Sequence, residues 1–313
     1  MKTLRNMIIA MSLARIASVG FVSSAAAKDR NKFDYTKTPN QYVQVQGVKI
    51  AYRTIGNDNG KPPLVLLQHF TGTMDDWDSS LINELALGRK LYIFDSAGVG
   101  ASDGTNPDSV AGMATIAEQF IAALNLKQVD ILGFSLGGFI TQQILIDHPE
   151  LIRKAILAGT SPEGAEGLAE IPQTLQAGTK KSEETKRNLK DVLFFTDTEE
   201  GKAAGAAFLK RINNHTVDPE KPTSDAATGA QLKAVVQWGS GPSNLASLEA
   251  VKQPVLIVNG SNDIMARTPN SFLLFQHLPT SQLSLYPDSG HGSLFQYHEL
   301  FASQVNTFLD GPR

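Results

Sequence analysis

The 313-residue chain predicts an α/β protein: a mostly parallel eight-stranded sheet with helices on both faces and a helical lid inserted after the sixth strand. Three observations carry this expectation. Short continuous apolar runs, such as Leu64-Val65-Leu66-Leu67 and Val255-Leu256-Ile257-Val258, alternate with stretches whose apolar residues recur at helical spacing. That is the rhythm of parallel strands buried on both faces by the helices that connect them. The rhythm breaks once, over residues 161–247, where no strand-like run occurs. A gap of that length is foreign to a compact domain unless it has helical structure of its own. Finally, Gly133-Phe134-Ser135-Leu136-Gly137 joins an apolar strand directly to an amphipathic run, through a turn that demands glycine on either side.

The elements follow in order. Residues 41–45 and 48–55 alternate apolar and polar around Gln46-Gly47 and read as an antiparallel hairpin at a sheet edge. The buried strand 64–67 ends in Gln68-His69-Phe70-Thr71-Gly72-Thr73, and a short helix over 79–86 leads to a second buried strand, 90–94. A small-residue loop, Asp95-Ser96-Ala97-Gly98-Val99-Gly100-Ala101-Ser102, precedes a helix over 111–124. The strand at 129–134 runs into a helix that His148-Pro149 stops, and a sixth strand covers 152–158. After the break come a strand at 254–258, a helix near 267–278, a strand at 282–286 and a closing helix over 299–309.

Composition narrows the chemistry. With no cysteine there is no disulfide, no thiolate metal ligand and no thiol nucleophile. No His and carboxylate cluster suggests a metal and no dinucleotide fingerprint occurs, so neither metal nor cofactor is expected. Lys2 and Arg5 precede an apolar stretch, 7–22, and Ala25-Ala26-Ala27 offers a small-residue cleavage site before Lys28. Residues 1–27 therefore read as an export signal, and the mature protein is expected to be periplasmic or secreted. Arg15 within the apolar stretch argues against a stable membrane span. Removing 1–27 takes away three basic and no acidic residues and moves the formal net charge from −3 to −6. A mildly acidic chain without basic blocks is not a nucleic-acid binder. The expected organisation is then a core of 28–160 and 248–313, with the lid at 161–247.

Ser135 is the candidate nucleophile, lifted clear of the sheet at the N-terminus of the next helix, where unpaired N–H groups favour developing negative charge. A serine hydroxyl needs a base, and the base an orienting carboxylate. His291, in Asp288-Ser289-Gly290-His291-Gly292 past the last strand, is placed to hold an imidazole over the C-terminal edge of the sheet, where open α/β sheets bind ligands. The other histidines, among them His148, His215, His277 and His298, read as structural or solvated. Asp263 follows the seventh strand and completes the order Ser, Asp, His. Glu163 is the alternative acid, and Asp95 is expected to organise its glycine-rich loop. Leu136 should give one oxyanion N–H, and the loop after Leu67 the other.

Together the segments around Ser135, Asp95, Asp263 and His291 resemble those of the α/β-hydrolase superfamily, in particular its serine esterase and cofactor-free haloperoxidase-like branch. The likeness spans about residues 42–309 and implies the α/β-hydrolase fold with a Ser135–His291–Asp263 triad. Gln68-His69 stand where that family usually carries His-Gly, and the alignment makes Phe70 the second oxyanion donor. His69 is also a candidate acid/base group. Dehalogenases and epoxide hydrolases of this fold resemble the pattern with Asp at the nucleophile, which Ser135 argues against. The expected reaction is acyl transfer from a small or medium apolar ester or lactone, with Trp77, Phe134 and Trp238 as pocket walls. Trp77 and Trp238 could equally serve to pack the lid on the core. A perhydrolase using the same triad and a non-catalytic ligand-binding homologue are the alternatives.

Overall fold

The computed structural model describes residues 32–312; the expected export signal lies outside them. Eight strands form one sheet in the order β1-β2-β4-β3-β5-β6-β7-β8. The antiparallel hairpin β1 (Gln41–Val45) and β2 (Val48–Ile55) occupies one edge. It closes on Gln46-Gly47, both at positive φ (46° and 84°), as a two-residue turn matched to strand twist requires. β2 also pairs antiparallel with β4 (Leu91–Phe94), and from there the sheet is parallel through β3 (Leu64–Leu67), β5 (Val129–Phe134), β6 (Ile152–Ala158), β7 (Val255–Gly260) and β8 (Ser281–Tyr286). Every residue of β3, β5 and β7 is buried, which explains why they are so rich in apolar residues, interrupted only by Asp130 in β5 and Asn259 in β7.

Helices cover the sheet. α1 (Ser79–Ala86) packs against the last helix, α11 (His298–Asp310), and α2 (Val110–Ala123) against α3 (Leu136–Asp147). Asp130 anchors the start of β5 at the opposite end from Ser135. Its carboxylate accepts from Arg89 Nη1 (3.0 Å) and from Arg153 Nε and Nη2 (2.9 and 2.6 Å), so the buried charge is fully paired.

Between β6 and β7 lie α4 (Ile171–Thr185), α5 (Leu189–Phe194), α6 (Glu199–Ile212), α7 (Asp225–Ser240) and the single turn α8 (Leu245–Leu248). α6 rests on α1 and on α10 (Ser293–Gln296), while α7 rests on α2. α9 (Pro269–His277) completes the set after β7. A buried cation fastens the helical segment to the sheet. Arg53 of β2, with no exposed side-chain surface, donates to Asp75 Oδ1 (2.6 Å), Asn40 Oδ1 (2.8 Å) and the Asp218 carbonyl (2.8 Å), and pairs with Glu220 at 3.4 Å. Glu220 also accepts from Asn40 Nδ2 at 2.7 Å. No described helix is long and apolar enough to cross a membrane.

Candidate active site

Ser135 sits between β5 and α3 at φ 56°, ψ −115°, outside the regions that L-residues favour. Such a conformation costs about 1–3 kcal/mol and persists only where its surroundings over-determine it. Here they do. The Ser135 N–H donates to the Ala158 carbonyl (2.9 Å), and the Ser135 carbonyl accepts from Gly138 N–H (2.8 Å) and Thr160 Oγ1 (2.9 Å). A Cβ on Gly133 would lie 2.3 Å from the Gly137 carbonyl oxygen, and one on Gly137 would lie 2.2 Å from that of Leu67. Both glycines are therefore required by close backbone approach, and the serine is left half-buried at the sheet's C-terminal edge.

His291 reaches the same edge from the loop after β8. Its Nδ1 donates to Asp263 Oδ2 at 2.8 Å, a tautomer assigned because the carboxylate only accepts. The other oxygen, Oδ1, accepts the backbone N–H groups of Met265 (2.8 Å) and Ala266 (3.0 Å). Both side chains are almost wholly buried. The imidazole lies against Phe134 (centroids 4.9 Å apart) and against Phe194 of α5 (5.3 Å). The Ser135 hydroxyl makes no hydrogen bond to another described residue, but Ser135 and His291 line one cavity of about 860 Å³. Apo catalytic contacts commonly tighten only when substrate is bound. Glu163 stands apart from this group: burial raises its pKa, and it does not touch His291. Asp95 holds its loop by accepting from Met74 N–H (2.8 Å) and Ala101 N–H (3.3 Å).

The loop after β3 is pinned at nearly every amide. His69 N–H donates to Gln68 Oε1 (2.9 Å), Thr71 N–H to Gln231 Oε1 (2.7 Å) and Gly72 N–H to the His69 carbonyl (3.0 Å). Phe70 N–H alone in this run has no acceptor among the described residues, and Phe70 lines the cavity beside Ser135. Leu136 N–H heads α3, where no intrahelical acceptor exists. His69 is buried, its Nδ1 2.7 Å from the Phe70 carbonyl and its ring edge-on to Phe134 and Phe194. Burial lowers its pKa to about 4, so it is neutral near pH 7.

The three aromatic walls expected from the sequence are not cavity walls. Trp77 is fully buried, packed on Phe134 and Phe295 with centroids 6.4 and 6.3 Å away. Phe134 is also fully buried and supports His291 from below. Trp238 stacks on Phe139 of α3 (5.4 Å, 15° between planes), and its Nε1 donates to the Ser161 carbonyl at 3.3 Å. All three face the core because large rings bury more area there than at a half-open wall. The cavity is lined instead by aliphatic residues of the inserted helices, including Leu175, Leu193, Leu209 and Leu232, together with Phe194 and Met265. Its other end is polar, formed by Asp75, Asp76, Lys190, His215 and Glu220, with Asp76 and Lys190 ion-paired. Sequence reasoning missed Phe194, Gln231, Lys190 and Glu220; the Phe194-Phe195 pair ending an amphipathic run was the one readable signal. Among the described residues no group of three or more His, Asp or Glu could hold a metal ion.

A family model described as alpha/beta hydrolase fold matches residues 62–296. A solved alpha/beta hydrolase fold protein from Chitinophaga pinensis is 44% identical and superposes with a TM-score of 0.84, over 90% of this chain and 100% of its own. Two curated relatives are more distant. A pimeloyl-acyl-carrier-protein methyl ester esterase of Nitrosomonas europaea is 27% identical over 81% of this chain and 97% of its own. A proline iminopeptidase of Clostridium botulinum is 26% identical over 88% of this chain and 99% of its own.

Proposed function

The chain belongs to the α/β-hydrolase family, and from that premise we propose that it is a serine hydrolase that cleaves a small or medium apolar carboxylic ester or lactone through an acyl-enzyme. One observation carries the reading: the Asp263–His291 pair, bonded at 2.8 Å, opens on the same cavity as the strained Ser135. In this mechanism Ser135 Oγ attacks the substrate carbonyl and passes its proton to His291 Nε2. Asp263 holds the imidazole in the required tautomer and stabilises the imidazolium. The N–H groups of Leu136 and Phe70 receive the oxyanion, a contribution typically worth 10²–10³-fold per donor. His291 then protonates the leaving alcohol, and water, activated by the same imidazole, releases the acid. Residues 161–247 act as a lid whose aliphatic wall selects a hydrocarbon group.

The test joins covalent labelling to turnover. A fluorophosphonate probe should label Ser135 in the wild type and nothing in Ser135→Ala. A panel of p-nitrophenyl esters and lactones of graded chain length should show hydrolysis that the same substitution abolishes. Absence of both labelling and turnover in the wild type would overturn the reading.

A further inference from the structure

We infer that Gln231, on the inserted helix α7, is a positioning residue that sets the oxyanion donor of Phe70. This inference rests on the serine-hydrolase reading and goes beyond it, because it makes the rate of chemistry depend on a side chain that never meets the substrate's reacting atoms.

The argument starts at Thr71. Its φ of +62° is left-handed, which a β-branched residue adopts only under constraint. The constraint comes from three side chains. The peptide unit between Phe70 and Thr71 is held at both ends: its C=O accepts from His69 Nδ1 (2.7 Å) and its N–H donates to Gln231 Oε1 (2.7 Å). The following carbonyl, that of Thr71, accepts from Thr223 Oγ1 at 2.8 Å. Gln231 and Thr223 both belong to the segment between β6 and β7, about 150 residues further along the chain. With that peptide plane fixed, ψ of Phe70 is fixed; the preceding peptide unit, which carries the unclaimed Phe70 N–H, is held in turn by its own C=O accepting from Gly72 N–H (3.0 Å), and the two planes together set the direction in which that N–H presents itself. On the other side, Gln68 bridges the loop, accepting from His69 N–H (2.9 Å) and donating to the Thr73 carbonyl (3.0 Å).

Removing the Gln231 acceptor leaves a partly buried N–H unsatisfied beside a strained φ, and both penalties are relieved if the peptide rotates. Rotation costs nothing in substrate affinity but misplaces the oxyanion donor. Gln231 is 4% exposed, yet its Nε2 donates to no described residue. The acceptor oxygen is thus the functional half of the amide, and a glutamate can replace it.

The experiment compares Gln231→Leu, Gln231→Glu and Thr223→Val in the full chain, reading kcat and KM on a short ester alongside Tm. Gln231→Leu should lose about 10- to 100-fold in kcat, up to the loss of a whole oxyanion donor, with KM within a few-fold. Gln231→Glu should keep kcat within a few-fold of the wild type, and Thr223→Val should fall between the two. Should Gln231→Leu fail to fold, the ordering of the wild type, Gln231→Glu and Thr223→Val still decides. Unchanged kcat in Gln231→Leu, a loss confined to KM, or an equal kcat loss in Gln231→Glu overturns the inference. Wild-type protein that neither reacts with the fluorophosphonate nor turns over ester would instead remove the hydrolase reading on which it rests.

Discussion

Asp263 offers one carboxylate oxygen to the backbone N–H groups of Met265 and Ala266 and the other to His291. In Asp263→Asn the amide oxygen keeps the two backbone donors and the NH₂ group turns toward His291 Nδ1. Nδ1 must then accept, the imidazole proton moves to Nε2, and the base can no longer receive the proton of Ser135. We expect kcat to fall on the order of 10⁴-fold while Tm and KM change little, and steady-state kinetics with a thermal melt would check it. Wild-type turnover in this variant would mean the acid lies elsewhere. The placement of Ser135, Asp263 and His291 at one edge of the sheet was legible because each position is fixed locally: two glycines, a strand end, a turn. His69 was not, because its chemistry is decided by burial between Phe134 and Phe194, which lie far from it in sequence.

At the scale of the element, α7 separates two meanings of inward-facing. Gln231 and Trp238 are seven residues apart and share one stripe of the helix, since seven residues nearly complete two turns. Both are buried, but two turns along the axis carry Gln231 to the loop after β3 and Trp238 to Phe139 on α3. Leu232, one step around, meets the cavity. In the sequence Leu232, Val235 and Val236 recur at helical spacing, but that periodicity could not say what stands opposite each turn of the helix. Trp238→Ala should therefore lower stability by about 3–5 kcal/mol, as large core truncations do, without altering the ratio of kcat/KM between a short and a long acyl ester. A changed ratio at unchanged stability would place Trp238 at the pocket after all.

For the whole molecule, the joint between the inserted helices and the sheet is an ionic one. Burial, reinforced by the neighbouring Glu220 carboxylate, holds the Asp95 carboxyl well above the usual carboxylate range. Because its folded pKa is raised, the stability this group contributes is complete below about pH 4 and is lost as pH climbs toward the raised value. Glu220→Gln removes the repelling carboxylate and keeps an oxygen for Arg53 and Asn40, so its stability should fall less steeply with pH. The Tm difference, variant minus wild type, should grow from pH 5 to pH 8; a difference independent of pH would deny the coupling. The order of elements was legible across the chain because strand and helix periods are local patterns. This joint was not, since Arg53 and Glu220 are 167 positions apart and no local pattern links them. One more feature bears on durability. Met265 lines the cavity while its own N–H donates to Asp263 Oδ1. With no cysteine in the chain, thiol-blocking reagents have nothing to attack. Peroxide does: a sulfoxide at Met265 would set a bulky dipole beside the Asp263–His291 pair, and reductive repair of that single sulfur would be the route by which the site recovers.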